Sequence, residues 1–138
     1  MKQLITDSPE RTKEFSKNFA KDLKPPKILA LYGNLGSGKT TFIQGLAAGL
    51  GIKKRILSPT FVFIRRYDLS GGLKFYHVDL YRLDSERDVE AIGLKEILEE
   101  KAIIAIEWPE KVEKLLPEDL IKIKLETIGE SKRKIQIS

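Results

Sequence analysis

An α/β fold in three layers is the architecture that this sequence predicts, with a mostly parallel central sheet to which hairpins add antiparallel strands. Residues 27–32 and 101–106 are short, almost continuous apolar runs, the pattern of strands that are covered on both faces in a parallel sheet. The first run leads directly into a glycine-rich segment, and a stretch with helical spacing of apolar residues follows. A strand, a loop and a helix are therefore predicted in immediate succession.

The composition predicts one globular domain over residues 1–138, because 41% of the residues are hydrophobic and the length suits a single core. The chain has no cysteine and one histidine, which excludes disulfides, thiolate metal sites, cysteine nucleophiles and multi-histidine metal sites. It also lacks an apolar run of roughly 18 residues and the apolar core of a signal peptide. We expect a cytoplasmic protein with no membrane contact. The net charge of +5 permits contact with nucleic acid, although 20 acids are interleaved with the bases.

A first helix is predicted over residues 9–23. Ser8 is a hydroxyl cap, and Pro9 takes the first helical position, where the missing N–H has no partner to lose. One apolar stripe recurs at every fourth position: Phe15, Phe19 and Leu23. Pro25 and Pro26 then end the helix.

The strand at residues 27–32 and the helix that begins at Lys39 enclose the glycine-rich segment. The apolar residues of this helix have helical spacing: Phe42, Ile43, Leu46, Ala47 and Leu50. Gly49 and Gly51 supply the stop signals. The loop is thus held between two predicted core elements.

A hairpin is predicted in the middle of the chain. Residues 58–60, Ser-Pro-Thr, form a loop because proline disfavours a helical conformation of its predecessor, and residues 61–67 then have the pattern of a strand. Residues 68–72 form the turn, and a second strand covers residues 73–80, with its end near Asp79.

The last third of the chain predicts helices, a buried strand and a closing hairpin. Residues 85–100 form two short helices or one bent helix, because Gly93 interrupts the pattern. Residues 107–110 lie at the carboxyl end of the strand over 101–106, where ligands bind in open α/β sheets. Beyond it, apolar residues alternate with polar ones and predict an antiparallel hairpin with one exposed face: Ile121, Ile123, Leu125 and Ile135.

The segment Gly33 to Thr40 matches the P-loop pattern at every position. Its glycines let successive backbone N–H groups turn inward as an anion cradle, and the following helix adds its positive end. Lys39 would reach the β and γ phosphates, while the Thr40 hydroxyl would bind magnesium. ATP and Mg²⁺ are therefore the predicted ligands of a P-loop NTPase, and its nucleotide-binding residues are Asn34, Leu35, Gly36, Ser37, Gly38, Lys39, Thr40 and Thr41.

Two acids at strand ends qualify as further participants, because magnesium in such sites takes one or two more oxygens from a nearby carboxylate. Glu107 ends the cleaner buried strand, so we expect it to contact the metal or to position water. For Asp79, the sequence leaves two roles open: the same contact with metal or water, or a structural salt bridge with Arg82. Lys39, Glu107 and Asp79 form the predicted catalytic set, with Thr40 and Glu107 at the metal.

Other residues near these acids have less specific patterns. His77 lies two residues before Asp79 and so shares its face of the strand, where a structural role is favoured over a catalytic one. Trp108 can stack on a base or fill the core, and the sequence leaves both open. Residues 53–55, Lys-Lys-Arg, complement the negative end of the P-loop helix, and a contact with RNA is the less favoured alternative.

The class of NTPase is narrowed by what the sequence lacks. Residues 68–71 fit the short Asp-x-x-Gly pattern of GTPase switches, but no Asn-Lys-x-Asp or Thr-Lys-x-Asp motif occurs that would read guanine. A GTPase is therefore excluded. A small-molecule kinase is the alternative, although the chain has little room for an acceptor-binding insert and a lid. It is kept because four arginines could clamp a second phosphate: Arg65, Arg66, Arg82 and Arg87.

Four segments follow one another in a characteristic order and spacing: the P-loop followed by Thr41-Phe42, Ser58-Pro59-Thr60-Phe61, residues 76–83 (Tyr-His-Val-Asp-Leu-Tyr-Arg-Leu), and Glu107-Trp108-Pro109-Glu110. Together with the first helix and its Thr12, they resemble the TsaE (YjeE) family over nearly the whole chain. The closing hairpin is the least diagnostic part of this resemblance.

The resemblance implies an ATPase that is required for threonylcarbamoyladenosine (t6A) biosynthesis at position 37 of tRNA. It implies an accessory factor that acts with the TsaD and TsaB proteins, with tRNA reached through that complex. It also implies that Thr40 and Glu107 hold magnesium, that Thr12 lies by the nucleotide and that residues 58–61 act as a switch. No second cation is fixed by a motif, so we expect weak hydrolysis by the isolated chain and activation by its partners.

Overall fold

A computed structural model describes residues 2–56, 63–84 and 86–138 of the chain. The strands are β1 (Lys2–Thr6), β2 (Lys27–Tyr32), β3 (Ile64–Asp68), β4 (Lys74–Asp79), β5 (Ile103–Glu107), β6 (Ile121–Thr127) and β7 (Arg133–Ile137). The helices are α1 (Pro9–Ala20), α2 (Lys39–Gly49), α3 (Glu86–Ile92) and α4 (Leu94–Leu98). Two 3-10 segments cover Ser70–Gly72 and Pro109–Leu115.

The seven strands form one mixed sheet in the order β1-β7-β6-β2-β5-β4-β3. Its four central strands, β6, β2, β5 and β4, are mutually parallel, whereas β3 pairs antiparallel with β4, and β7 pairs antiparallel with both β6 and β1. The predicted α/β architecture with a parallel centre and antiparallel hairpins is thus confirmed. Because the parallel strands end at one edge, their terminal residues meet there.

Apolar side chains alternate between the two faces of the central strands and build two cores. Leu29 and Leu31 of β2 pack with α1 and α2, whereas Ile28 belongs to the cluster on the opposite face, which includes side chains of α3 and α4. Helices therefore cover both faces, which gives the three predicted layers. The central strands are apolar on both faces because neither face meets water.

Helices α1 and α2 approach each other closely at a glycine. A Cβ atom on Gly45 of α2 would lie 2.5 Å from the carbonyl oxygen of Lys13 and even nearer to the hydroxyl of Ser16. Such distances are below van der Waals contact, so only glycine fits at this crossing. The close contact fixes α2, whose first residues belong to the P-loop.

Some helices and strands begin or end at other residues than the sequence predicted. The first helix ends at Ala20 rather than at residue 23, and Leu23 follows in a turn with its N–H donated to the Ala20 carbonyl. Gly93, with φ of 76°, separates α3 from α4, so the two-helix alternative is correct. Three other predicted strands are present with shifted ends. The strands predicted over 61–67, 73–80 and 101–106 correspond to β3, β4 and β5, and Phe63 lies outside β3.

Strand β1 was absent from the sequence predictions. Its residues 2–6 have no clean alternation, and the strand is specified by antiparallel pairing with β7, from Lys2 opposite Ile137 to Thr6 opposite Arg133. The predicted loop at 58–60 lies outside the described residues. Among the described helices, none combines the length and the apolar character needed to cross a bilayer.

We predict that Gly45→Ala destabilises the fold by about 1–3 kcal/mol, the usual cost of overpacking, although alanine is the better helix former. The clash with the Lys13 carbonyl outweighs the gain in helix propensity because backbone atoms cannot rotate away. Urea unfolding would measure the change. Gly129→Ala is the matched control, since its added methyl meets only the side chain of Lys132, at 3.4 Å. Equal stability of the two variants would contradict the close helix contact.

Candidate nucleotide-binding site

A cleft of about 430 Å³ lies at the carboxyl edge of the sheet, where β2 passes into α2. It brings together eight of the residues predicted from the sequence: Leu35, Gly36, Gly38, Lys39, Thr40, Thr41, Asp79 and Glu107. Four further lining residues are Tyr81, Arg82, Trp108 and Arg133. The P-loop and both candidate acids therefore face one cavity.

The glycine-rich loop has the backbone conformation that its glycines permit. Gly36 and Gly38 have φ values of 79° and 100°, in the left-handed region that disfavours other residues. A Cβ atom on Gly33 would lie 2.6 Å from the carbonyl oxygen of Leu125, so the loop rests directly on β6. Gly38 is the N-cap of α2 and has no side chain to cap it. The first backbone N–H groups of α2, which have no partner within the helix, therefore receive no side-chain cap from residue 38.

Lys39, the first residue of α2, is buried with 5% of its surface exposed. Its ammonium donates to the carbonyl oxygen of Gly33 at 2.5 Å and lies 3.5 Å from the centroid of the Trp108 ring. Burial lowers the pKa of Lys39 from its ordinary value, whereas the charges of Glu107, Glu110 and Asp79 act in the opposite direction. These nearby acids and the indole face hold a cation at the base of the cleft.

Glu107, at the end of β5, is the centre of a buried polar chain. One of its carboxylate oxygens lies 3.2 Å from the Thr40 hydroxyl, which donates to it, and the other lies 2.7 Å from Nε2 of His77. Glu107 is 3% exposed and His77 is fully buried. Two partners on different elements thus fix the orientation of this carboxylate. His77 does not line the cleft and adjoins it through Glu107. The structural role that the sequence favoured for it stays a prediction.

Asp79 lies beside Glu107 because β4 and β5 are parallel with these two residues in register. One Asp79 oxygen accepts a hydrogen bond from the N–H of Tyr81 at 3.0 Å. Both carboxylates line the cleft, and the Thr40 hydroxyl lies against Glu107. Among the described residues, there is no cluster of three or more His, Cys, Asp or Glu side chains that could hold a metal.

Trp108 lies in the wall of the cleft and also packs against the core on the face covered by α3 and α4. Its backbone has φ of 60°, a value that is uncommon for a residue other than glycine, and its ring lies 5.0 Å from that of Tyr81. Lys111 donates to the carbonyl oxygens of Tyr81 and Leu83, so the segment beyond β4 is tied to the segment beyond β5. The aromatic pair forms one side of the site.

Several residues singled out from the sequence lie elsewhere. Thr12 is 2% exposed, and its hydroxyl is 2.7 Å from that of Thr6, so the structure does not bring it to the cleft lining. Arg65 and Arg66 are exposed on β3, and only Arg82 of the four candidate arginines lines the cleft. Residues 53–55 are exposed beyond α2. The predicted switch over 58–61 lies outside the described residues.

Arg133 is the site residue that sequence reasoning missed. It begins β7, and its guanidinium donates to the carbonyl oxygens of Ser37 and Gly36 at 3.1 and 3.3 Å. Alternation with the buried Ile135 and Ile137 places it on the inner face of the strand, but nothing local shows that the hairpin adjoins the P-loop. Only the sheet order brings these segments together.

Comparison with known proteins places these motifs in a family. A family model described as "Threonylcarbamoyl adenosine biosynthesis protein TsaE" matches residues 6–135. The tRNA threonylcarbamoyladenosine biosynthesis protein TsaE of Bacillus subtilis is 41% identical over 98% of this chain and 85% of the relative. The proteins of the same name from Borreliella burgdorferi and Aquifex aeolicus are 44% and 36% identical, over 83% and 99% of this chain and 84% and 96% of their own lengths.

A solved structure shows the same fold. The crystal structure of YdiB from Bacillus subtilis superposes with a TM-score of 0.81 at 38% identity, and the match covers 99% of this chain and 84% of that one. The similarity thus extends over the P-loop, both acid-bearing strands and the closing hairpin, in sequence as well as in structure. The chain belongs to the TsaE family.

Proposed function

We propose that this chain binds ATP with magnesium and hydrolyses it as an accessory factor for t6A modification of tRNA at position 37. It acts with the TsaD and TsaB proteins and reaches tRNA through that complex. The observation that carries the proposal is the convergence of the P-loop lysine, the Thr40 hydroxyl and the Glu107 carboxylate in one cleft. The partners and the tRNA rest on membership of the TsaE family.

The start of α2 supplies the phosphate site. Its first N–H groups lack helical partners and carry the positive end of the helix dipole, which stabilises an anion by about 0.3–1 kcal/mol at an exposed helix end. Gly36 and Gly38 let the backbone approach a phosphate closely, because they have no side chains to separate it from the ligand. Lys39 adds a full charge at the base of the same cleft.

Lys39 changes partners when nucleotide binds. Its ammonium is held by the Gly33 carbonyl and the Trp108 ring, both of which are weaker partners for a cation than the β and γ phosphates. A buried ammonium whose pKa is lowered by desolvation gains most from a dianionic ligand. The same movement uncovers the indole face of Trp108.

Thr40 and Glu107 would hold magnesium, since hydroxyl and carboxylate oxygens are the donors that this ion prefers. When bound, the ion neutralises charge on the phosphate oxygens. The His77 contact keeps the Glu107 carboxylate in place, so the same group can also orient an attacking water. Asp79 lies next to it and provides a second acceptor at the strand ends.

We predict that Trp108 fluorescence reports nucleotide binding. The protein has one tryptophan, and ATP should draw the Lys39 ammonium away from its ring, which changes the emission. Lys39→Met should show altered emission without ligand and bind ATP at least roughly tenfold more weakly, because a charged hydrogen-bond donor is lost. A fluorescence titration beside calorimetry measures both. Wild-type ATP affinity in Lys39→Met would overturn the P-loop assignment.

We predict that Glu107→Gln lowers hydrolysis by at least about a hundredfold and changes ATP affinity far less. The amide keeps the size of the side chain and a partner for Thr40, but it loses the charge that holds the ion and orients water. Phosphate release and calorimetry separate the two effects. Asp79→Asn is the matched comparison, and a larger loss of turnover in that variant would transfer the principal role to Asp79.

We predict slow phosphate release by the isolated chain and an increase of at least about tenfold with the TsaD and TsaB proteins. Hydrolysis needs a cation opposite the developing charge, and an added arginine finger contributes roughly 10³ to 10⁵ in rate. Lys39→Met is the inactive control. Arg82 lines the cleft, so Arg82→Gln tests a contribution from within the chain. Fast ATP hydrolysis by the isolated chain, at a rate that TsaD and TsaB do not change, would contradict the accessory role.

A further inference from the structure

Arg133 connects the closing hairpin to the phosphate-binding loop. Nε donates to the Ser37 carbonyl at 3.1 Å, and Nη2 donates to the Gly36 carbonyl at 3.3 Å. Nη1 donates to the carbonyl oxygens of Lys132 and Gly129 at 3.0 and 3.4 Å. One guanidinium thus bridges two consecutive peptide groups of the loop and the hairpin turn, which the fixed fork of arginine donors allows.

The loop also contacts the hairpin without side-chain hydrogen bonds. A Cβ atom on Gly33 would lie 2.6 Å from the Leu125 carbonyl, and one on Gly38 would lie 3.7 Å from the Leu125 side chain and 3.9 Å from Nε of Arg133. The loop therefore rests on β6 and on the first residue of β7. The hairpin is part of the wall that supports the phosphate site.

The strand that carries Arg133 has a rigid backbone. Residue 133 pairs with Thr6 of β1 on one side and with Thr127 of β6 on the other, so strands flank it on both edges. Ile135 and Ile137, on the same face, are buried in the core beneath α1 and α2. The guanidinium therefore extends from a fixed base.

We propose that Arg133 is a positioning residue that sets the peptide orientation of the P-loop at residues 36–38. The C=O and N–H of a trans peptide group point in opposite directions, so holding the Ser37 carbonyl fixes the direction of the Gly38 N–H. That N–H belongs to the anion cradle. The role rests on the proposed ATP binding, but the orientation of the loop exists without a ligand.

The first test is binding of ATP and of inorganic tripolyphosphate to the full chain, measured by calorimetry with magnesium. Arg133→Gln should weaken both ligands by a similar factor of roughly tenfold or more, since the loop that both of them contact loses two charge-assisted bonds. Arg133→Lys should also weaken both, because one ammonium cannot reproduce the planar fork. Lys134→Gln removes the same charge from the opposite face of β7 and should change neither affinity.

The second test needs no ligand. Backbone order parameters from ¹⁵N relaxation should fall at residues 36–38 in Arg133→Lys, from the rigid value of about 0.85, while the melting temperature and the order of α2 stay unchanged. Lys134→Gln should leave the loop as in wild type. Arg133→Lys retains the charge and the packing of the side-chain stem, so it tests the proposal even if Arg133→Gln fails to fold.

Two results would overturn the proposal. Loss of ATP affinity with unchanged tripolyphosphate affinity would mean that Arg133 contacts the nucleoside rather than the loop. Unchanged order at residues 36–38 in Arg133→Lys would mean that its hydrogen bonds have no effect on the loop, and any loss of affinity for both ligands would then come from direct contact of its charge with phosphate. If wild type itself binds neither ligand, the proposed function fails, and the order parameters alone decide the role of Arg133.

Discussion

The turn from β2 into α2 is the constraint on which the rest of the site depends. Strand β2 is central and pairs in parallel with β5 and β6, so the turn starts from a strand that is held on both edges. Gly33 lies too close to the Leu125 carbonyl for any side chain, and Gly45 lets α2 pack directly on α1. The position of Lys39 and Thr40 follows from these two close contacts, because both residues begin α2.

Two buried charged groups of the site, Lys39 and Glu107, each have partners within the chain. The Lys39 ammonium has the Gly33 carbonyl and the Trp108 ring, and the Glu107 carboxylate has Thr40 and His77. Burying an unpaired charge would cost several kcal/mol, so these internal contacts make a charged cleft compatible with a stable fold. In the proposed function, ATP would exchange these partners for its own phosphates, so its affinity would be a difference between two sets of contacts.

Sequence reasoning predicted the parts of the site that local pattern specifies. β2, the P-loop, α2 and the two acid-bearing strands follow from apolar runs and glycine spacing, and each of these patterns lies within one short stretch of the sequence. The contact between His77 and Glu107 depends on the register of β4 against β5, and the Arg133 contact depends on the order of strands in the sheet. Neither is encoded locally. Strand β1 was missed for the same reason, since pairing with β7 rather than its own composition specifies it.

Backbone strain is concentrated around the two acids. Among the described residues, Phe63 and Trp108 are the non-glycine residues with positive φ, at 62° and 60°. The Phe63 carbonyl accepts the N–H of Asp79 at 2.8 Å, and Trp108 directly follows Glu107. Each such conformation costs on the order of 1–3 kcal/mol and persists only where surrounding contacts enforce it. Trp108 turns the chain directly after Glu107 at the end of β5 and places its ring over the Lys39 ammonium, whereas Phe63 precedes β3 and contacts the end of β4 through its carbonyl. A relaxed backbone after Glu107 would extend β5 and carry the indole away from the ammonium, which connects the strained conformation to the chemistry of the cleft.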